Sequence, residues 1–117
     1  MPDRAVIHLR AADIPEDLGA DGVLLDVREH DEFNAGHAPA AVHIPLHELP
    51  HRLPEVLASH ADDRVVVICK VGSRSAYAAA FLSAHGIEAV NVADGMLGWA
   101  RDGRRLVSET GDPPAII

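Results

Sequence analysis

The segment Val65-Val66-Val67-Ile68-Cys69-Lys70-Val71-Gly72-Ser73-Arg74-Ser75 holds the residue types best suited to chemistry. A thiol, an ammonium, a guanidinium and two hydroxyls fall between positions 69 and 75. An apolar run that reads as a strand leads straight into Cys69, and an alanine-rich helical stretch follows Arg74. In open α/β sheets, reactive groups collect at the carboxyl ends of strands, which is where this order places the sulfur. N–H groups at the start of the following helix lack intrahelical acceptors and carry partial positive charge. A loop curled around Cys69 would turn more N–H groups inward and form an anion cradle, with Gly72 supplying the backbone freedom. Lys70 and Arg74 add formal positive charge. Each effect favours thiolate over thiol, so Cys69 is expected to have a depressed pKa and to act as a nucleophile. For a lone cysteine the plainer reading is a buried, inert side chain. Cys, Gly, Arg and Ser in one strand-to-helix turn argue for chemistry instead. For Lys70, a solvated side chain and a substrate contact both stay open.

The elements needed to hold this loop follow from hydrophobic patterning. Val23-Leu24-Leu25-Asp26-Val27 and Val65-Val66-Val67-Ile68 are nearly continuous apolar runs, as expected of strands buried on both faces of a parallel sheet. Ala5 to Leu9 is a short, roughly alternating strand candidate; Val42-His43-Ile44, stopped by Pro45, and Ala89-Val90-Asn91-Val92 are weaker ones. Ser75 to His85 is predicted to be the best helix, with Ala78, Phe81, Leu82 and His85 on one face and Gly86 as its stop. Glu29 to Ala35 is a short helix ending at Gly36. Leu46, Leu49, Leu53 and Leu57 recur at helical spacing, but Pro50 and Pro54 predict a bent or two-piece helix. Strands alternating with helices give an α/β fold with a mostly parallel sheet.

The chain has 117 residues, 48% of them hydrophobic, which suits one domain that builds its core without disulfides or metals. Residues 1–105 are expected to form it, with 106–117 as a loosely attached tail. A net charge of −8 makes a phosphate backbone a poor partner, so no nucleic acid is expected. No apolar run is long enough for a bilayer, and Met1-Pro2-Asp3-Arg4 lacks a signal-peptide layout, so the cytoplasm is the expected location. One cysteine means no intrachain disulfide and no resolving thiol in the chain.

His47-Glu48-Leu49-Pro50-His51 fits a zinc-protease pattern, His-Glu-x-x-His. Pro50 disturbs the helical turn the two histidines would need, and a third ligand has no source, so no metal is assigned. His8, His30, His43, His60 and His85 show no ligand spacing and are expected at the surface or in packing.

Cys69-Lys70-Val71-Gly72-Ser73-Arg74-Ser75 resembles the active loop of the rhodanese sulfurtransferases, Cys-x-x-Gly-x-Arg-Ser. Leu25-Asp26-Val27-Arg28, with Glu32-Phe33, Gly36-His37 and Ala41-Val42-His43-Ile44-Pro45, resembles the family's upstream signature. Gly95-Met96-Leu97-Gly98-Trp99 resembles the signature near its C-terminus. Ala40, His43 and Asp94 depart from the family's usual Gly, Asn and Gly, away from the loop. The resemblance implies a five-stranded, mostly parallel sheet with helices on both faces. It implies Cys69 as the sulfur-carrying catalytic residue, Lys70, Val71, Gly72, Ser73, Arg74 and Ser75 as its substrate-binding cradle, and no cofactor. The expected partners are a small anionic sulfur donor such as thiosulfate and an external thiol, cyanide or protein acceptor. The rival readings are a non-catalytic interaction module of the same family and a cysteine-dependent phosphatase or arsenate reductase. Cysteine phosphatases use Cys-x5-Arg, whereas this loop is one residue shorter and suits a single persulfide sulfur. Asp26 and Arg28 share a strand face and are read as a structural network with each other or Glu32. Gly36-His37 is read as a turn.

Overall fold

The computed structural model describes residues 5–20, 22–60 and 62–117. Met1-Pro2-Asp3-Arg4, read above for a signal peptide, lies outside them. Five strands form one sheet: β1 (Ile7–Leu9), β2 (Gly22–Asp26), β3 (Val42–His43), β4 (Arg64–Ile68) and β5 (Glu88–Val92). Their spatial order is β1-β5-β4-β2-β3 and every pairing is parallel. The two long apolar runs, β2 and β4, lie side by side in the interior, with Leu25 opposite Val67 and Asp26 opposite Ile68. Such strands are apolar on both sides because helices cover both faces.

Alternation along β4 divides the core. Val65, Val67 and Cys69 join a cluster with Leu25, Val27, Leu49, Val56, Ala78, Ala79 and Leu82. Val66 and Ile68 join the opposite cluster with Leu24, Val90, Val92, Met96 and Trp99. The first face is covered by α2 (Leu49–His60) and α3 (Ser73–Ala84), the second by α4 (Gly95–Arg101). Cys69 thus continues the period of its strand and points under α3.

Helix α3 begins two residues before its expected start and buries Ser75, Ala78, Ala79, Leu82 and Ser83. Phe81 is only partly buried and His85 is exposed, so the packed face is rotated toward the small residues. Small side chains let α3 approach the sheet closely. Its end is closed by Gly86 N–H donating to the Ser83 carbonyl and Ile87 N–H to the Leu82 carbonyl, a Schellman arrangement. The leucine-rich stretch is in two pieces, a 3₁₀ turn at Leu46–Glu48 and then α2, with Pro50 in its first turn and Pro54 inside it. His47 contacts Glu29 and Glu48, while His51 is exposed on α2. Helix α1 (His30–Ala35) matches its expected position.

Two features differ from the expectations. Helix α4 covers a segment to which hydrophobic patterning assigns no element. Residues 106–117, expected to be loosely attached, are tied by backbone bonds. Val107 and His37 exchange both N–H···O bonds at 2.9 Å. Glu109 N–H donates to the Asn34 carbonyl and Ala115 N–H to the Ala35 carbonyl. Leu106 and Ile116 pack on the second cluster. Among the described residues no helix is long and apolar enough to cross a membrane.

Candidate functional site

Strand β4 ends at Ile68, and Cys69 follows it directly. The chain then turns sharply into α3, and the turn depends on one residue. Gly72 has φ +100° and serves as the N-cap of α3. A Cβ at that position would run into the Ala93 carbonyl. The turn is therefore restricted to glycine by both conformation and space.

The ring so formed points at the sulfur. Gly72 N–H donates to Cys69 Sγ at 3.2 Å, and Ser75 Oγ lies 3.3 Å from it. Burial pushes the Cys69 thiol up, and this is the largest single influence. It is outweighed by the Ser75 hydroxyl and by the N–H groups of Ser75, Gly72 and Val71, so the thiol ends below its ordinary value. The sulfur is enclosed, with Cys69 0% exposed, yet the amides face it. An enclosed sulfur ringed by N–H groups retains anionic character that an apolar pocket would deny it.

Arg74 is placed differently from the expectation. Its Nη1 and Nη2 donate to Glu32 Oε1 and Oε2 at 2.7 and 2.9 Å, and no bond joins it to the sulfur. The pair holds the Arg74 guanidinium well above, and the Glu32 carboxyl below, their ordinary values. Arg74 still feels the charge of Cys69 through space. The negative sulfur is held first by backbone and hydroxyl donors, with Arg74 fixed as a strut to α1. Lys70 is half-buried and forms no ion pair among the described residues. Val71 is exposed at the apex of the loop, and Ser73 is exposed on the first turn of α3.

Three supports were not found from sequence. One is the bond from Arg74 to Glu32. Of the two readings for Asp26 and Arg28, pairing with each other is the one found; Arg28 also donates to the Glu32 and Gly36 carbonyls, leaving the Glu32 carboxylate for Arg74. The second is the N-terminus of α4. Met96 and Leu97 N–H donate to the carbonyls of Cys69 and Lys70 at 2.8 and 3.1 Å. Gly95 makes this approach possible, since a Cβ there would strike both carbonyls. The third is Asn91 on β5, whose Oδ1 accepts from Ser75 Oγ at 2.6 Å. Its Nδ2 meets His8 Nδ1 at 3.1 Å. No local pattern signals any of these, because each partner comes from a distant segment.

His37 and His43 serve packing. Phe33 stacks between the rings of His37 and His43, with centroids 3.8 and 4.2 Å away. His37 Nδ1 donates to the Ala38 carbonyl, and its Nε2 meets Glu109 Oε1 at 3.0 Å. A cavity of about 340 Å³ bounded by Ile14, Leu18, Trp99 and Arg104 reaches the opposite end of β2 and includes no residue of the loop.

Comparison with known proteins bears on this geometry. Residues 10–102 match the family described as Rhodanese-like domain. A tRNA uridine(34) hydroxylase of Salmonella newport is 35% identical over 102 residues, which cover 83% of this chain and 29% of that protein. The chain thus spans under a third of the length of that relative. A rhodanese-related protein of Thermoplasma volcanium superposes with a TM-score of 0.77 at 34% identity, covering 86% of this chain and 97% of that one. A thiosulfate sulfurtransferase of Pseudomonas aeruginosa superposes with a TM-score of 0.74 at 27% identity, covering 90% of this chain and 21% of that one.

Proposed function

The chain belongs to the rhodanese-like domain family, and on that premise we propose that it is a sulfurtransferase that carries sulfane sulfur on Cys69. The observation that carries this reading is the ring of N–H groups turned onto an enclosed sulfur, closed by Gly72 and braced by α4. The Cys69 thiolate attacks the outer sulfur of a donor such as thiosulfate. A new S–S bond forms at Cys69, the donor's S–S bond breaks, and its electron pair leaves with sulfite. The persulfide carries the negative charge on its terminal sulfur, and the Val71, Gly72 and Ser75 amides stabilise it. Lys70 supplies a free cation for the anionic donor. Cyanide, an external thiol or a protein acceptor then takes the terminal sulfur and regenerates the thiolate. With one cysteine in the chain, that acceptor comes from outside. The cytoplasm is the proposed location, since that final step needs reduced acceptors.

The engagement of Arg74 weighs against the phosphatase reading. Phosphate recognition uses the guanidinium fork, and here both Nη atoms are taken by Glu32. A non-catalytic module has no need for a donor ring around its cysteine. The likeness to a tRNA uridine(34) hydroxylase favours a second reading, in which Cys69 serves modification of a tRNA uridine. A net charge of −8 opposes tight binding of tRNA by this chain alone.

Intact-mass measurement after incubation with thiosulfate tests the proposal. The expected result is a gain of one sulfur atom that cyanide removes and that a Cys69→Ser variant never acquires. An unchanged mass with several sulfur donors overturns it. Turnover of an aryl phosphate that depends on Cys69 would move the assignment to phosphatase chemistry.

A further inference from the structure

Behind Cys69 runs a polar line that the transfer reaction above leaves unused. Cys69 and Ser75 are 0% exposed and Asn91 is 3% exposed. Ser75 Oγ lies 2.6 Å from Asn91 Oδ1 and 3.3 Å from Cys69 Sγ. A serine hydroxyl has one proton to give. With Cys69 protonated, the thiol donates to Ser75 Oγ and the hydroxyl donates to Asn91, so every group is satisfied. With Cys69 ionised, the sulfur and the Asn91 carbonyl compete for that single proton. At 2.6 Å the carbonyl contact is at the short end for an O–H···O bond, so the sulfur receives only a share of the hydroxyl's help. The contact between Asn91 Nδ2 and His8 Nδ1 holds the amide with its oxygen toward Ser75.

We propose that Asn91 is a positioning residue whose carbonyl withholds the Ser75 hydroxyl proton from Cys69 and thereby limits the acidity of the sulfur. The inference rests on the reading of Cys69 as a thiolate nucleophile. It adds a consequence for the loaded state. In the persulfide the charge sits on the terminal sulfur, and Sγ is an uncharged bridging atom. The hydroxyl proton then belongs to Asn91 without competition. Asn91 thus favours the sulfur-loaded protein over the free thiolate and makes Cys69 a poorer leaving group. Retention of sulfur is gained at the expense of thiolate stability.

The titratable groups around this line are Lys70 of the loop, Arg74 of α3, Glu32 of α1 and His8 of β1. The test leaves all four in place. Because Cys69 is the only cysteine, ultraviolet titration of thiolate in the full chain reads this position alone. Asn91→Leu removes the acceptor and frees the hydroxyl for the sulfur. The expected result is a downward shift of the thiol midpoint, with about tenfold more thiolate at a fixed pH below it. Asn91→Asp keeps the shape and strengthens the acceptor, and it shifts the midpoint upward. In a Ser75→Ala background the leucine substitution loses its effect, because the proton being shared is gone. An upward shift with Asn91→Leu, or the same downward shift without the Ser75 hydroxyl, overturns the proposal. Should the leucine variant fail to fold, the isosteric aspartate decides, and an unshifted or lowered midpoint there overturns it equally. The titration uses no sulfur donor, so its failure and the failure of sulfur transfer are read separately.

Discussion

The ends of β2 and β4 lie next to each other, and each leads into buried charge, yet the two regions treat that charge in opposite ways. At the end of β2, the side chains of Asp26 and Arg28 are both 0% exposed. Arg28 Nε donates to both Asp26 oxygens, Nη2 to Asp26 Oδ2 and the Gly36 carbonyl, and Nη1 to the Glu32 carbonyl. Each of the three guanidinium nitrogens has an acceptor, which makes the pair a fastening between β2 and α1. After β4, the sulfur is met by N–H groups and a shared hydroxyl, and no counter-ion is bonded to it. A bonded counter-ion makes the first region scaffold, and neutral donors without one leave the second reactive. Buried charge alone therefore identifies neither role, whereas the bonded counter-ion separates them.

Breaking the fastening is expected to have the largest effect on stability. Arg28→Met leaves Asp26 buried without its partner and should cost about 3–5 kcal/mol in denaturant unfolding. Cys69→Ala in the same measurement should stay much closer to the parent, since it breaks no ion pair and removes a single sulfur atom. If the two variants unfold alike, the contrast between fastening and reactive ring fails.

Gly72→Ala comes next. A φ of +100° and the Ala93 carbonyl both oppose a side chain there, so the ring must open. About 2 kcal/mol of stability is expected to be lost, together with the lowered pKa of Cys69. Thiolate titration of this variant sharpens the comparison, because an unaltered midpoint would mean that the Gly72 amide is not what holds the charge.

The smallest effect concerns the strut. Glu32 is held below its ordinary value chiefly by the Arg74 hydrogen bonds. A carboxyl depressed on folding adds stability above its unfolded pKa and loses it as pH falls through the lower folded value. Stability should therefore decline on acidification through the range below the usual carboxylate midpoint. Glu32→Gln should remove part of that dependence and cost about 1 kcal/mol at neutral pH, because the pair is partly exposed. Unfolding midpoints across acid pH for the parent and the glutamine variant measure it.

The sequence reports the reactive side of this comparison better than its supports. The β4 run, its alternation, the terminal Cys69 and the glycine three residues on are all local, so strand, turn and helix are legible together. Two of the five strands follow from continuous apolar runs, and the single five-stranded sheet from the family resemblance. The supports are non-local. Glu32 lies 42 residues from Arg74, and Asn91 lies 16 from Ser75, so neither pairing exists until the fold closes. Helix α4 escaped because its two glycines are there for close approach, while their usual meaning is a turn. The docking of residues 106–117 is hard to read because most of its hydrogen bonds join main chain to main chain, and the partners of Leu106, Glu109 and Ile116 come from distant segments.

That docking has a reach beyond the surface it covers. Helix α1 is six residues long and carries no cation in its last turn. Its final carbonyls, at Asn34 and Ala35, accept from Glu109 and Ala115. The same short helix presents Glu32, which clamps Arg74. Residues far from the sulfur in sequence thus finish the helix that steadies the loop arginine. Trimming the chain after Arg105 would unpin that helix from behind, and the orientation of Arg74 would loosen with the ring's own sequence left untouched.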